Sequence, residues 1–377
     1  MPDVAIDLAA RLQRVRSAMG ERGLDGLLVY GTGQHNMLRM DQVRYLTDLR
    51  VLGPHATLLV PAAGPMRLIV TPRWDAARAK EIAPMADVEA LDAPDLPSHA
   101  ARHAREMLGR RVGVSGRDAM PAGFAAALFG ALGDVTEVTD LVPGMSATRT
   151  PLEIARLRRA AVIADAGFDA LQQTVRVGMR EYELHAEIEA AMRSLGSEDN
   201  FGLLAAGAHN VAIRPSTERR LERGDAIVGE ITPSFEGQFA QLCRTFILGT
   251  PTDAQRKGFD LLLDAYRRGL AAAVPGATNG EVVAAVNAPF EAAGFGEFCR
   301  QPYMRTRGHG LGSGAVVPQE FAPGGKVAIR AGMTFVIHPN QYLPDPGYLM
   351  LGDTVLITER GAEPLTKTPL RLHTSED

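Results

Sequence analysis

The sequence predicts a two-domain chain in which a small α/β domain precedes a larger α+β domain. The chain has 377 residues, well above the ~150 residues of one ordinary domain. Before residue 145, short apolar runs alternate with helical patterns, whereas after it pairs of helices alternate with longer strand patterns. We therefore predict a first domain over residues 1–145 and a second over residues 146–377.

The first domain opens with an amphipathic helix that has Leu8, Leu12, Val15 and Met19 on one side. Short buried strands are predicted for the runs GLLVY, ATLLV, RLIV and RRVGV, and a further helix for PAGFAAALFGAL. This alternation is typical of a small α/β domain.

The second domain begins at a strong helix start. Thr150 is a good N-cap, Pro151 suits the first helical position, and Glu153 completes a capping box. Three further helices are predicted around residues 184–192, 259–270 and 281–293, and strands for DAIVGEI, GQFAQLCRTFIL, MTFVIH and DTVLIT. We expect these strands to form a curved, mainly antiparallel sheet with helices covering one face.

Composition and charge narrow the class of protein. Hydrophobic residues make up 46% and charged residues 22% of the chain, and the net charge is -4, without long runs of either sign. Neither nucleic acid nor an anionic membrane is an expected partner, because both favour a concentrated basic surface. With no signal-peptide pattern at the N-terminus and only two cysteines, we predict a soluble cytoplasmic protein.

Polar residues cluster on one predicted strand pair. Alternate side chains of a strand share a face, so Gln241 and Cys243 point together, as do Glu230 and Thr232 on the preceding strand. The residues from 233 to 237 are predicted to turn the chain into a hairpin. The run RGHGLG places His309 among glycines, where a ligand can approach closely.

Several ordered motifs together resemble one family. GAHN, RRLERGDAIVGEI, FEGQFAQLCRTFILG, RGHGLG, AGMTFVIHP and GDTVLITERGAEPLT are similar, in order and spacing, to the second domain of the pita-bread family of creatinase, prolidase, aminopeptidase P and methionine aminopeptidase. VRYLTDLR resembles the first domain of creatinase and prolidase more weakly. The resemblance implies the pita-bread fold and a homodimer.

The resemblance also implies where metal ligands would lie. The family's metallopeptidases hold two ions with two aspartates, a histidine and two glutamates. At the matching positions this chain has Glu230, Gln241, His309, His338 and Gly352. Because only the histidine is retained, and two divalent ions close together need several anionic oxygens, we predict an enzyme without this dinuclear centre and without any cofactor.

Creatinase supplies the precedent for metal-independent hydrolysis in this fold. Its LERT segment matches Leu242 to Thr245, where Cys243 replaces the glutamate. We expect hydrolysis of an amide, ureido or amidino C–N bond in a small molecule, with His309 as proton carrier, Glu230 activating water and His338 donating to the developing anion. Cys243 is a candidate nucleophile or simply a packed residue.

Two other interpretations remain open at this point. Glu230, His309 and His338 are also the ligand types of a mononuclear iron or zinc site. A binding protein without catalytic activity is the third interpretation.

The substrate prediction rests on arginines. Arg50, Arg214, Arg305 and Arg307 lie on segments that border the pocket in the family, which predicts a carboxylate-bearing substrate, with Gln241 as a further contact. The competing interpretation is an ordinary solvated or ion-paired arginine at each position.

Overall fold

The computed structural model describes residues 3–35, 37–316 and 320–376. The chain divides into two compact units, Met1–Ser146 and Ala147–Asp377. None of the helices in the described ranges combines the length and the apolar character that a bilayer crossing requires.

Within the described residues, the first unit is built on a six-stranded sheet. Its strands are β1 (Gly26–Gly31), β2 (Ala56–Pro61), β3 (Met66–Val70), β4 (Ala86–Ala90), β5 (Val112–Ser115) and β6 (Thr136–Glu137). They lie in the order β4-β3-β2-β1-β5-β6, so β4 is an edge strand. β1, β2 and β3 pair antiparallel, whereas β4, β5 and β6 join their neighbours in parallel.

Helices pack on both faces of this sheet. They are α1 (Val4–Glu21), α2 (Gln42–Thr47), α3 (Ala76–Ile82), α4 (Leu96–Met107), α5 (Ala122–Leu132) and α6 (Leu141–Met145). The predicted apolar side of α1 is buried in one core with Leu27 and Val29, while Leu28 and Tyr30 belong to the other core with α4 and α5. The alternation along β1 confirms the α/β class of this unit.

The described part of the second unit contains a ten-stranded sheet and a separate two-stranded one. The strands are β7 (Asn200–Gly207), β8 (Ala226–Phe235), β9 (Gln238–Phe239), β10 (Leu242–Ile247), β11 (Gly308–Gly312), β12 (Gly314–Val316), β13 (Thr334–Ile337), β14 (Gln341–Leu343), β15 (Gly347–Leu349), β16 (Gly352–Thr358), β17 (Gly361–Pro364) and β18 (His373–Thr374). The main path runs β12-β11-β13-β16-β10-β8-β7, and β9, β17 and β18 pair with β8, β16 and β10. Along this path all pairings are antiparallel, as the sequence predicts.

Four long helices accompany this sheet in the described ranges: α7 (Pro151–Thr174), α8 (Glu181–Ser194), α9 (Asp253–Ala272) and α10 (Asn279–Ala292). The predicted capping box at the start of α7 is confirmed. The amide of Glu153 donates to Oγ1 of Thr150, and the amide of Thr150 donates to the Glu153 carboxylate. Because Pro151 has no N–H, this helix start has three backbone N–H groups without a partner inside the helix. The capping box supplies partners for two of them, those of Thr150 and Glu153.

The predicted hairpin forms with a tighter turn than the sequence suggests. Glu236 and Gly237 both have positive φ, which suits a two-residue loop joining β8 to β9. The predicted continuous strand is interrupted at Ala240 and Gln241, although the register is unchanged across the gap. Pro233 lies opposite this gap and has no N–H to donate to a ladder, which accounts for the break.

Candidate active site

A row of four residues crosses the centre of the second unit's sheet. Glu230 on β8 lies opposite Cys243 on β10, and Cys243 lies opposite Gly352 on β16. Ile337 pairs with Asp353, so His338, the next residue, lies beside Gly352. Side chains of directly opposed residues stand on the same face of a sheet. The row therefore brings three of the predicted site residues to one face.

A second row runs parallel to the first, two residues further along the strands. The backbone N–H of Gln241 donates to Oγ1 of Thr354 at 2.7 Å. Thr354 pairs with Val336, and Val336 pairs with His309. Two residues along a strand correspond to ~7 Å. Gln241 and His309 therefore share the face of Glu230 and His338, one row further along the strands.

The opposite face of β8 and β10 is covered by helices. Alternate residues of these strands, Ile227, Ile231, Leu242 and Phe246, share an apolar cluster with residues of α7 and α8. Hydrophobic burial on that side fixes the register, because a slip by one residue would turn the whole polar set into this cluster. Glu230 and Cys243 therefore point away from the helices α7 and α8.

Glu230 is the ionisable carboxyl of the site. Its side chain is partly buried, and desolvation raises its pKa to about 7 from an ordinary value of 4.5. Burial disfavours the charged form of a carboxyl group, and no cation in the described part of the chain offsets this effect. Near neutral pH Glu230 can therefore both accept and donate a proton.

The two histidines lie side by side and stay neutral. Their ring centroids are 5.6 Å apart in an edge-to-face arrangement. Burial lowers the pKa of His309, and burial followed by repulsion from His309 lowers the pKa of His338 to about 3. Nδ1 of His309 lies 3.2 Å from the carbonyl oxygen of Gly310, so donation from this atom leaves Nε2 as an acceptor. The predicted proton-carrier role of His309 is not favoured by these surroundings, because its charged form is disfavoured.

Cys243 is fully buried in an apolar cluster with Ala205, Val228 and Met350. Burial, and then the neighbouring charge of Glu230, raise the pKa of its thiol well above the usual value. A reactive cysteine needs a thiolate and access to substrate. The structure therefore favours the packing role over the nucleophilic one that the sequence left open.

Three buried polar atoms on this face have no hydrogen-bond partner among the described residues. They are Oγ1 of Thr232, Oε1 of Gln241 and Nδ1 of His338. Native proteins pair nearly all buried polar atoms with protein, water or ligand. A group of unpaired atoms on the face that carries Glu230 is what a ligand-binding surface needs.

Tyr348 and Asn340 lie near the site and were not predicted from the sequence. Tyr348 packs against the apolar cluster around Cys243, and its pKa is raised by burial and then by the negative charge of Glu230. Asn340 accepts a hydrogen bond from the Leu351 amide. Both residues belong to the segment NQYLPDPGYL, whose β14–β15 hairpin returns the chain to the site. The PDPG turn between the two strands is the sequence pattern that could have predicted this hairpin.

Arg307 does not bind substrate in this structure. Its side chain is 0% exposed, and its guanidinium donates to Oδ1 of Asn287, the carbonyl of Asn340 and Oε1 of Gln341. All three guanidinium nitrogens are thus engaged by internal acceptors. Arg307 holds the chain around His338 in place, which corrects the substrate-binding prediction.

Arg214 is also held by an internal partner, in this case through an ion pair. Its two terminal nitrogens lie 2.6 and 2.8 Å from the carboxylate oxygens of Glu181, which is fully buried. Arg305 is exposed and pairs with Glu320. Arg50 belongs to the first unit, where its carbonyl accepts a hydrogen bond from Arg78. The arginine basis for a carboxylate-bearing substrate is therefore removed at Arg214 and Arg307.

The residues of the two rows do not fit a pair of divalent ions. A Cβ atom on residue 352 would lie 2.5 Å from Cβ of His338 and 2.8 Å from the Ile337 carbonyl, so there is no room there for a carboxylate. Gln241 supplies only a neutral oxygen. The face therefore lacks the anionic ligands that two such ions require.

The mononuclear alternative is also not assembled. Among the described residues, the ligand atoms of Glu230, His309 and His338 do not form a group within 4.8 Å of one another.

Comparison with known proteins agrees with the resemblance. The model of metallopeptidase family M24 matches residues 155–359, and that of the creatinase/prolidase N-terminal domain matches residues 11–150. The Xaa-Pro dipeptidase of Pyrococcus furiosus is 29% identical over 239 residues, which are 63% of this chain and 68% of that protein. The probable dipeptidase PepE of Mycobacterium tuberculosis is 27% identical over 369 residues, 97% of this chain and 96% of that protein.

Solved structures share the whole architecture. A dipeptidase from Pyrococcus horikoshii has a TM-score of 0.83 at 26% identity and covers 97% of this chain and 99% of its own. The Xaa-Pro dipeptidase from Bacillus anthracis has a TM-score of 0.85 at 24% identity with the same coverage. The family supports the predicted activity class, hydrolysis of a C–N bond. With a family model matching more than half of its length, the chain belongs to metallopeptidase family M24 and has its two-domain, pita-bread architecture.

Proposed function

We propose that this protein hydrolyses a C–N bond of a small molecule without a dinuclear metal centre. The observation that carries the proposal is the site's composition: a carboxyl group with a pKa of about 7 shares a sheet face with two neutral imidazoles, and two of the five metal-ligand positions hold Gln241 and Gly352. This set can move protons and donate hydrogen bonds, whereas it offers metal ions little negative charge.

Glu230 is the proton-transfer group of the proposed reaction. Hydrolysis needs a proton taken from water and a proton given to the leaving nitrogen. A catalytic group is most effective when its pKa lies near the working pH. Ionised Glu230 takes the proton from the attacking water, and the carboxylic acid so formed returns it to the nitrogen as the C–N bond breaks.

The two histidines act in their neutral forms. His309 accepts a hydrogen bond at Nε2 from the water or from a substrate N–H and so fixes its orientation. A neutral N–H of His338 donates to the oxygen, or to the amidino nitrogen, on which negative charge develops. Neutral donors in a desolvated site stabilise such charge without the cost of a buried cation.

The substrate is proposed as a small amide, ureido or amidino compound. The relatives named as dipeptidases make a dipeptide the competing substrate. A requirement for a substrate carboxylate is no longer part of the proposal, because Arg214 and Arg307 make internal bonds.

The first experiment combines metal analysis with a substrate panel. The full chain is purified without chelator or metal-affinity tag, its metal content is measured by plasma mass spectrometry, and amides, ureido acids, guanidino compounds and Xaa-Pro dipeptides are assayed with and without EDTA. We expect turnover that EDTA does not abolish, and a loss of at least ~100-fold in kcat for Glu230→Gln. Glu359→Gln, at an exposed position, is the matched control.

Two results would overturn the proposal. Activity that depends on added metal would return the site to metal-assisted hydrolysis. A folded protein with no turnover on the whole panel would favour the binding interpretation.

A further inference from the structure

A cluster of metal-ligand type lies in the first unit, where neither the family nor the proposed reaction assigns a role. Glu89 on the edge strand β4 contacts His99 and His103 on α4. Among the described residues, these three form the one group of at least three His, Cys, Asp or Glu side chains whose ligand atoms all lie within 4.8 Å of one another. We propose that Glu89, His99 and His103 bind one zinc ion or a similar divalent transition-metal ion.

The spacing of the three ligand atoms supports this proposal. Nε2 of His99 and Nε2 of His103 are 3.0 Å apart, and Oε2 of Glu89 lies 2.8 and 3.7 Å from them. In a tetrahedral zinc site with ligands at 2.0–2.1 Å, neighbouring ligand atoms are about 3.3 Å apart. The three atoms thus already outline one face of such a tetrahedron, and binding needs shifts of about half an ångström.

The local fold explains why the trio assembles. Two histidines four residues apart stand on the same side of a helix. Ala100, Ala101 and Ala104 bury the neighbouring side of α4 in the core, and their small side chains let the helix lie close to the sheet. Glu89 then projects from the edge strand toward the helix. An ion here would join β4, an edge strand, to α4.

The site is open enough to exchange an ion and a water ligand. The side chains of His99 and His103 are 16% and 15% exposed, and that of Glu89 is 37% exposed. Zinc sites with three protein ligands keep a fourth position for water. Imidazole and carboxylate ligands suit zinc and its first-row neighbours better than magnesium or calcium.

Groups around the trio both favour and oppose the ion. Oε2 of Glu106 lies 3.1 Å from Nδ1 of His103 and can hold the proton there, which leaves Nε2 free to coordinate. Arg102 contacts Nδ1 of His99 at 2.6 Å, and Arg67 contacts Nδ1 of His103 at 2.7 Å. These two cations repel a divalent ion and favour a proton on Nε2 instead. Loss of the charge on Arg102 should therefore strengthen binding.

The test uses the full chain, stripped of metal and titrated with Co²⁺ and Zn²⁺. We expect one Co²⁺ per chain with the visible absorption of a tetrahedral site, displaced by Zn²⁺. Saturating Zn²⁺ should raise the melting temperature of the first unit by roughly 5–10 °C. His99→Gln and His103→Gln should each weaken binding by at least 10-fold, and Arg102→Gln should tighten it.

His209→Gln is the matched control, because His209 is an exposed histidine of the second unit. Equal zinc binding by wild type and the His99→Gln/His103→Gln double variant would overturn the proposal. So would an absence of binding at 100-fold excess of Zn²⁺ over protein. The partly exposed positions make these variants compatible with folding, and circular dichroism checks this.

This site also changes how metal content is to be measured. One zinc per chain in wild-type protein would not by itself locate the ion at the candidate active site. Metal retained by the double variant but lost in His309→Gln would belong to that site, whereas the reverse pattern would assign it to the first unit. The two proposals therefore fail on different variants.

Discussion

The pH dependence of stability gives a direct test of the environment of Glu230. Burial raises its pKa to about 7 in the folded chain, against 4.5 for an ordinary glutamate. A carboxyl group with a raised pKa stabilises the fold only while it is protonated. Its contribution is complete below pH 4.5, and is lost as the pH rises through about 7.

The size of the effect follows from the shift. One pKa unit corresponds to 1.36 kcal/mol, so the shift corresponds to about 3 kcal/mol, or about 2–3 kcal/mol once partial exposure is allowed for. Glu230→Gln has a neutral side chain of the same shape at every pH. Relative to wild type, it should therefore gain about 2–3 kcal/mol in free energy of unfolding between pH 5 and pH 8.

The assay is urea unfolding of wild type and Glu230→Gln at pH 5, 6, 7 and 8. Taking the difference between the two proteins removes the contributions of groups that they share. Glu359→Gln, at an exposed position, should show a difference that does not change with pH. A constant stability difference between wild type and Glu230→Gln from pH 5 to 8 would show that Glu230 ionises normally, and the proposed proton transfer would lose its basis.

Two further variants test the surroundings of Glu230. Cys243→Ala should keep most of the activity and lose about 1 kcal/mol of stability, because the buried thiol is a packing group. Iodoacetamide should leave Cys243 unlabelled in the native protein. A loss of catalysis beyond about 1000-fold would instead identify a nucleophile. Gly352→Glu should not create a metal site, and it should lower the free energy of unfolding by at least about 1–3 kcal/mol, because its Cβ would lie 2.5 Å from Cβ of His338. Tighter binding of Mn²⁺ or Zn²⁺ in equilibrium dialysis would contradict this geometry.

The shared face of the site could be predicted because it depends on strand periodicity. Glu230 and Cys243 are on adjacent strands of a hairpin, and alternation along each strand fixes where they point. The glycine-rich run RGHGLG made His309 a candidate site residue, because a ligand can approach it closely. These signals are local, and the sequence contains them completely.

The roles of the arginines could not be predicted, because their partners are distant in sequence. Arg307 is bound by Asn287 and Gln341, and Arg214 by Glu181. No local pattern distinguishes an arginine that such acceptors enclose from one that faces a pocket. Both were assigned to the substrate because their segments border the pocket in the family that the sequence resembles.

The proton-transfer roles also depended on the fold. Sequence identifies a glutamate and two histidines but not the extent of their desolvation. Burial raises the pKa of Glu230 and lowers those of His309 and His338, and it thereby moves the proton-transfer task from an imidazole to the carboxyl group.

The contact between Gly352 and His338 has an evolutionary consequence. The backbone and Cβ atom of His338, with the Ile337 carbonyl, occupy the space that any side chain at residue 352 would need. A chain with glycine at this position cannot recover a ligand at 352 by one substitution. Replacing His338 as well would leave a Cβ atom and the backbone in place, so the two segments would also have to separate. The glycine at 352 therefore behaves as a ratchet, and selection on such a chain can refine the side chains that remain on this face more readily than it can add one at residue 352.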